Sequence, residues 1–91
     1  MIYITAVQMS RGGTQHEHIT AVRWMNATTR KTGQNTRSEM VHWVQAQHGD
    51  ARVRDRGGHD VRVGVVKANP PYLRTCADKV WTDNLLALPR Y

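Results

Sequence analysis

The sequence has no phenylalanine, one cysteine and three prolines. The single cysteine, Cys76, excludes an internal disulfide framework. No apolar run approaches the roughly 18 residues that a membrane span needs, and no basic segment followed by an apolar stretch opens the chain. We therefore expect an intracellular, cytoplasmic protein that is not inserted in a membrane.

The length allows one domain, spanning residues 1–91. With 91 residues and 40% hydrophobic content, the chain is too short for a second core and too apolar to stay disordered. A domain of this size is stable by only about 5 to 13 kcal/mol, and a deep active site would remove a large share of its core. We therefore predict no catalytic residues and no cofactor.

Acidic residues are few. Thirteen lysines and arginines stand against seven aspartates and glutamates, which gives a net charge of +6. Arginine dominates the basic residues and favours planar, bidentate contacts to phosphate or carboxylate groups. The charge permits an anionic partner, and the alternative is that the basic surface serves solubility alone.

Two β-rich runs, 3–9 and 19–25, predict a first hairpin, because a glycine-containing polar loop separates them. Both alternating sets of side chains in the first run are largely apolar, which indicates a strand that is covered on both faces or central in its sheet. A helix is predicted over 37–48. Thr36 and Glu39 have the spacing of a capping box, and Gly49 is suited to the left-handed position after the helix.

The segments ARVRD and DVRVGVV predict a second hairpin around RGGH. A three-residue loop ending at His59 would pair Arg54 with Arg62 and Val53 with Val63. This arrangement places five small apolar side chains inward: Ala51, Val53, Val61, Val63 and Val65. It places four arginines on the other face: Arg52, Arg54, Arg56 and Arg62.

The C-terminal segment predicts a lid for the core. Asn69, Pro70 and Pro71 force an extended connector, after which 72–75 forms a short strand that turns at 77–79. Thr82 is expected to cap a helical turn over 83–88 that carries Leu85, Leu86 and Leu88 into the core. The predicted fold is α+β, with two hairpins flanking one helix in the order ββαββ and a mainly antiparallel sheet.

The stretches ITAV, HEHITAVRW, MVHWV, PPYLRT and TDNLLALP resemble a family of small bacterial proteins, with relatives in actinobacteria and their phages, known only as a domain of unknown function. The resemblance covers nearly the whole chain and implies no activity, catalytic residue or cofactor. The sequence departs from the family pattern at Cys76, where an aromatic is expected, and at Lys79, where the glycine of an Asp-Gly turn is expected.

Two features of the sequence could carry chemistry: the HEH segment as a metal site and Cys76 as a nucleophile. In an extended HEH segment His16 and His18 share one face while Glu17 points to the other, so a metal site would need outside ligands that no spacing supplies. No activating motif surrounds Cys76. We therefore interpret HEH as a polar loop and predict no metal site.

The remaining signals point to binding. Tyr72 and Trp81 are candidate surface aromatics, because Trp, Tyr and Arg are the usual hot-spot residues of protein interfaces. The candidate binding residues are Arg52, Arg54, Arg56, Arg62, Tyr72, Arg74 and Trp81. We predict an accessory or phage-type protein that engages a cellular protein. The alternative is nucleic-acid or nucleotide binding through the arginines, and a homodimer formed by strand pairing at the second hairpin is also compatible with the sequence.

Overall fold

Seven strands and one α-helix form the fold in the computed structural model, which describes residues 1–91. The strands are β1 Ile2–Met9, β2 Ile19–Asn26, β3 Thr32–Thr36, β4 Ala51–Arg54, β5 Asp60–Val66, β6 Tyr72–Ala77 and β7 Val80–Thr82. The helix, α1, spans Arg37–Ala46. Two 3₁₀ turns, at His16–His18 and Asn84–Ala87, precede β2 and follow β7.

The strands form one mixed sheet in the order β3-β2-β1-β4-β5-β6-β7. All neighbouring pairs are antiparallel except β1 and β4, which are parallel because α1 returns the chain to the same end of the sheet. The α+β class is confirmed, and β1 is central as predicted. The order ββαββ is incomplete, since β3 and β7 were not predicted.

The core lies between α1 and the concave face of the sheet. Met40 and Val41 of the helix pack with buried residues from β1, β2, β4, β5, β6 and the second 3₁₀ turn. The turn at His16–His18 contacts β6, although three strands separate β2 from β6 in the sheet order. The sheet must therefore curl, which lets so short a chain enclose an apolar cluster.

The helix begins as predicted and ends two residues early. Thr36 Oγ1 accepts a hydrogen bond from the Glu39 backbone N–H, while Glu39 Oε1 accepts one from the Thr36 N–H, which confirms the capping box. The left-handed residue after the helix is His48, with φ of 52°, so the assignment to Gly49 was wrong. Gly49 is instead required for space, because a Cβ there would lie 2.3 Å from Cδ2 of Trp43.

The second hairpin has a different register from the one predicted. Val53 pairs with Val61 and Arg54 with Asp60. A three-residue turn starting at Arg56 closes the hairpin, since the Asp55 N–H bonds to the His59 carbonyl. The physical reason is electrostatic: this register sets Arg54 against the carboxylate of Asp60, and the arginine that it sets opposite Arg62, Arg52, is neutralised by Asp50.

The error is two residues, so each strand side chain keeps its predicted face. The predicted inward residues are buried except Val65, which is half-buried. Arg56 is the exception on the outer side, because it lies in the turn and not on the sheet. The prediction of four arginines on one strand pair is therefore corrected to three.

The C-terminal lid is built differently in detail. β6 runs on to Ala77, and Asp78 and Lys79 form a two-residue turn into β7. The cap of the last 3₁₀ turn is Asp83 and not Thr82, whose hydroxyl donates to Asn84 Oδ1. Leu85 is fully buried, so this turn closes the core as predicted.

The sheet order corrects the free edge that was expected at the second hairpin, while the homodimer itself stays a prediction. β4 lies between β1 and β5, and β5 lies between β4 and β6, so the second hairpin offers no free edge for strand pairing. The edges are β3 and β7. The helices of the chain are all too short or too polar to cross a bilayer.

Candidate functional site

The convex side of the sheet, which we call the outer face, carries one row of paired residues. The registers align Tyr3 of β1, Arg52 of β4, Arg62 of β5, Cys76 of β6 and Trp81 of β7. Paired residues point to the same side of a sheet. The fold therefore gathers most of the predicted binding residues on one surface, although they are far apart in sequence.

The end of the outer face near β1 is neutralised by carboxylates. Arg52 donates from Nε and Nη2 to both oxygens of Asp50, at 2.9 and 3.0 Å. Arg54 donates to Asp60 Oδ1 at 3.2 Å and to the Tyr3 hydroxyl at 2.6 Å. Arg52 thus forms a bidentate pair with Asp50, and Arg54 bonds to two different residues of the protein, so the donors of both arginines are already engaged.

These contacts favour the charged carboxylates. The hydrogen bond from Arg52 holds the pKa of Asp50 below its ordinary range. The Tyr3 hydroxyl donates to Asp60 Oδ2 at 2.9 Å, and this bond, together with the one from Arg54, lowers the pKa of Asp60. The network therefore stays ionised at neutral pH and presents little net charge to a partner.

Arg74 is also engaged. It donates to the Thr82 carbonyl at 3.1 Å and to Asp83 Oδ1 at 2.9 Å, which ties β6 to the last 3₁₀ turn. The buried His16 lies beside this pair, with Nε2 at 3.8 Å from Asp83 Oδ1. Burial, and then the charge of Arg74, lowers the pKa of His16, while Asp83 acts in the opposite direction.

The end of the outer face near β7 differs. Arg62 is exposed and makes no salt bridge within 4 Å, and Arg56 in the turn makes none either. Trp81 is 41% exposed and its neighbour Val80 is 63% exposed on the edge strand. Val80 pairs with Ala77 and therefore points to the opposite side of the sheet, so we define the outer-face patch as Arg62 and Trp81.

Trp81 is held in place although it is exposed. Its ring lies across β6 against Gly64, where a Cβ would be 3.3 Å from the ring carbons. Tyr72, the other predicted surface aromatic, is half-buried and pairs with Val66 at the start of β6. Tyr72 is therefore separated from the outer-face patch, because the residue of β6 that pairs with Arg62 and Trp81 is Cys76, at the other end of the strand.

A second concave feature lies on the other side of the molecule. A cavity of about 710 Å³ opens between α1 and the β2–β3 strands, and its lining includes Trp24, Asn35, Glu39, His42 and Trp43. The sequence did not predict this cavity. Four separate elements line the cavity, so no local motif in the sequence indicates it. The sequence feature that comes closest to indicating it is the pair of glycines, Gly33 and Gly49, against which the two tryptophan rings lie.

The HEH segment is a 3₁₀ turn and not an extended strand, because His18 Nδ1 accepts hydrogen bonds from the backbone N–H groups of Thr14 and Gln15. His16 is buried against β6, whereas Glu17 is exposed. Nowhere does the structure gather three histidine, cysteine or carboxylate side chains in positions that could hold a metal ion. The two histidines therefore serve the packing and the geometry of the turn.

Comparison with known proteins gives one match. The family described as "protein of unknown function (DUF3892)" matches residues 3–89. No curated protein and no solved structure matches the chain. The match runs from the second residue of β1 past the last 3₁₀ turn, so nearly the whole fold described above falls within it. The chain belongs to the DUF3892 family of proteins of unknown function.

Proposed function

We propose that the protein is a non-catalytic accessory domain that binds another protein through the outer-face patch. The observation that carries this proposal is the exposure of Trp81 on an edge strand, on the same face of the sheet as Arg62, which has no carboxylate partner. Tryptophan and arginine are enriched among the residues that contribute most to protein interfaces.

The partner surface is expected to be acidic around an apolar centre. The protein carries a net charge of +6, and its outer-face arginines near β1 are paired internally, so Arg62 is the free cation beside the aromatic ring. A carboxylate on the partner would gain a bidentate contact with Arg62, while an apolar side chain would cover Trp81.

Nucleic-acid or nucleotide binding is the second candidate, supported by the unpaired Arg56 and Arg62 in a protein of net charge +6. Two observations weigh against it. Three arginines of the outer face, Arg52, Arg54 and Arg74, are engaged by aspartates. The exposed aromatic surface is a single tryptophan, whereas single-strand binders stack successive bases on several aromatic rings.

The test is a pull-down from lysate with four forms of the protein: wild type, Trp81→Ser, Arg62→Glu and Lys31→Glu. Lys31 lies in the β2–β3 turn at the other end of the strand order, so Lys31→Glu makes the same charge change away from the patch. We expect one defined protein to be captured by wild type and Lys31→Glu and lost with Trp81→Ser and Arg62→Glu. Equal capture by all four folded forms would contradict the proposal.

A further inference from the structure

The cavity beside α1 has the dimensions of a small-molecule site. Its volume of about 710 Å³ lies within the range of roughly 300–1,000 Å³ that is usual for such sites. Neither residue of the outer-face patch lines it. Any ligand it takes would therefore be bound independently of a protein docked on the outer face.

Two indole rings form the aromatic walls, and both are fixed. Trp24 donates from Nε1 to Asn35 Oδ1 at 2.7 Å, and its ring lies against Gly33, where a Cβ would be 2.3 Å from Cζ2. The ring of Trp43 lies against Gly49 in the same way. Each ring thus lies against a glycine, and both tryptophans line the cavity.

The cavity also contains one fixed carboxylate. Glu39 Oε1 accepts hydrogen bonds from the Thr36 backbone N–H at 2.8 Å and from the Thr36 hydroxyl at 3.0 Å. These bonds, the backbone one first, lower the pKa of Glu39, with the Asn35 amide adding to the effect. Glu39 is therefore ionised at neutral pH, and the capping box holds it at the rim of the cavity.

The charge of the lining is opposite to that of the whole protein. Glu39 is the only carboxylate among the lining residues, and no lysine or arginine lines the cavity. The protein as a whole carries +6. An anionic ligand would meet Glu39 without a lysine or arginine to pair with, whereas a cation would find a carboxylate and two aromatic faces.

We propose that this cavity binds an organic cation, an alkylated or quaternary ammonium group, between Trp24, Trp43 and Glu39. The faces of tryptophan rings attract cations more strongly than those of the other aromatic residues, and alkylated ammonium groups are weakly hydrated and fill aromatic sites well. The remaining volume accommodates the chain that carries the cationic group.

The experiment uses choline as the probe and its uncharged carbon analogue, 3,3-dimethylbutan-1-ol, as the matched control. The indole N–H signals of the three tryptophans are followed by NMR, each assigned with its Trp→Phe variant. We expect choline to shift the Trp24 and Trp43 signals saturably and to leave Trp81 unmoved. The neutral alcohol should bind at least about tenfold more weakly.

A charge variant isolates Glu39. Glu39→Gln keeps a capping-box side chain at the third helical position, so the helix start survives while the charge is removed. We expect it to weaken choline binding about tenfold without changing the affinity for the alcohol. Glu17→Gln makes the same charge change on the exposed HEH turn and should leave choline binding unchanged.

The proposal is overturned if choline produces no saturable shift of Trp24 and Trp43, if the neutral alcohol binds equally well, or if Glu39→Gln and Glu17→Gln behave alike. Trp81→Ser separates this site from the outer-face patch. It should bind choline as wild type does, even though it loses protein capture.

Discussion

Lys79 occupies a backbone conformation that disfavours its side chain. Asp78 and Lys79 have φ values of 50° and 66° in the two-residue turn between Ala77 and Val80. Such turns require positive φ at both central residues, and glycine is the usual second residue. The Asp-Gly pattern expected from the family resemblance therefore has a physical basis at this position, and lysine is a strained substitute.

We predict that Lys79→Gly stabilises the protein by about 1 kcal/mol, because it relieves the left-handed strain of a residue with a Cβ. Urea denaturation measures the change. Lys67→Gly is the matched control, since Lys67 is also exposed but does not have positive φ. A Lys79→Gly variant no more stable than wild type would show that the turn is not strained.

His16 couples stability to pH. Its pKa in the folded state lies below the ordinary value of 6.5, chiefly because the ring is buried. Between these two pKa values the unfolded chain binds more protons than the folded one, so stability falls as the pH drops below about 6.5. The loss is complete once the pH is below the folded-state pKa.

This predicts a lower urea midpoint at about pH 5.5 than at about pH 7.5, and a smaller difference in His16→Gln. His48→Gln serves as the control, because His48 is exposed. If His16→Gln keeps the full pH difference, the sensitivity arises elsewhere, and the burial of His16 is not its cause.

At the scale of elements, each tryptophan is paired with a glycine. Trp24 lies against Gly33, Trp43 against Gly49, and Trp81 against Gly64. The first pair joins β2 to β3, and the second fixes the end of α1 against the start of β4. In a chain without phenylalanine, the tryptophan rings are thus the large aromatic groups of the packing, and each ring lies against a residue that has no Cβ.

We predict that Gly49→Ala destabilises the protein by about 1–3 kcal/mol, because the new methyl group would displace the Trp43 ring. Gly57→Ala should cost much less, since a Cβ there meets the flexible His59 side chain at 3.0 Å and the Asp55 carboxylate at 3.4 Å, and neither is a packed ring. Thermal unfolding of the two variants checks the difference, and similar losses would mean that the Trp43 contact is not what constrains Gly49.

The sequence predicted those elements whose signals are local. The capping box at Thr36 and the alternation of valine and arginine in β4 and β5 are visible over a few residues, so the helix start and the strand faces were confirmed. The register of β4 and β5 was wrong by two residues, because alternation fixes parity and leaves the choice of partners to the turn.

Elements that depend on distant partners were missed. β3, with the sequence TGQNT, has no apolar pattern and is a strand because it pairs with β2. The parallel pairing of β1 with β4 and the cavity at Trp24 and Trp43 also join residues far apart in the chain. Most of the candidate binding residues do lie on the outer face. That three of the arginines pair with aspartates could be seen only in the structure.

Over the whole molecule, only some of the arginines are free to contact a partner. Aspartates engage Arg52, Arg54 and Arg74, whereas Arg62 stays unpaired beside the exposed Trp81. This distribution favours a small interface with an aromatic centre over a broad electrostatic footprint. It also places the proposed protein-binding patch and the proposed organic-cation site on different surfaces.

The most direct test of the central claim is the salt and nuclease dependence of capture by the wild-type protein. Lysate is divided into nuclease-treated and untreated halves, and each is washed at rising salt up to about 0.5 M. Binding to an aromatic hot spot predicts that one defined protein survives both treatments, because apolar contacts are little screened. Recovery of nucleic acid alone, lost steeply with salt, would contradict the account.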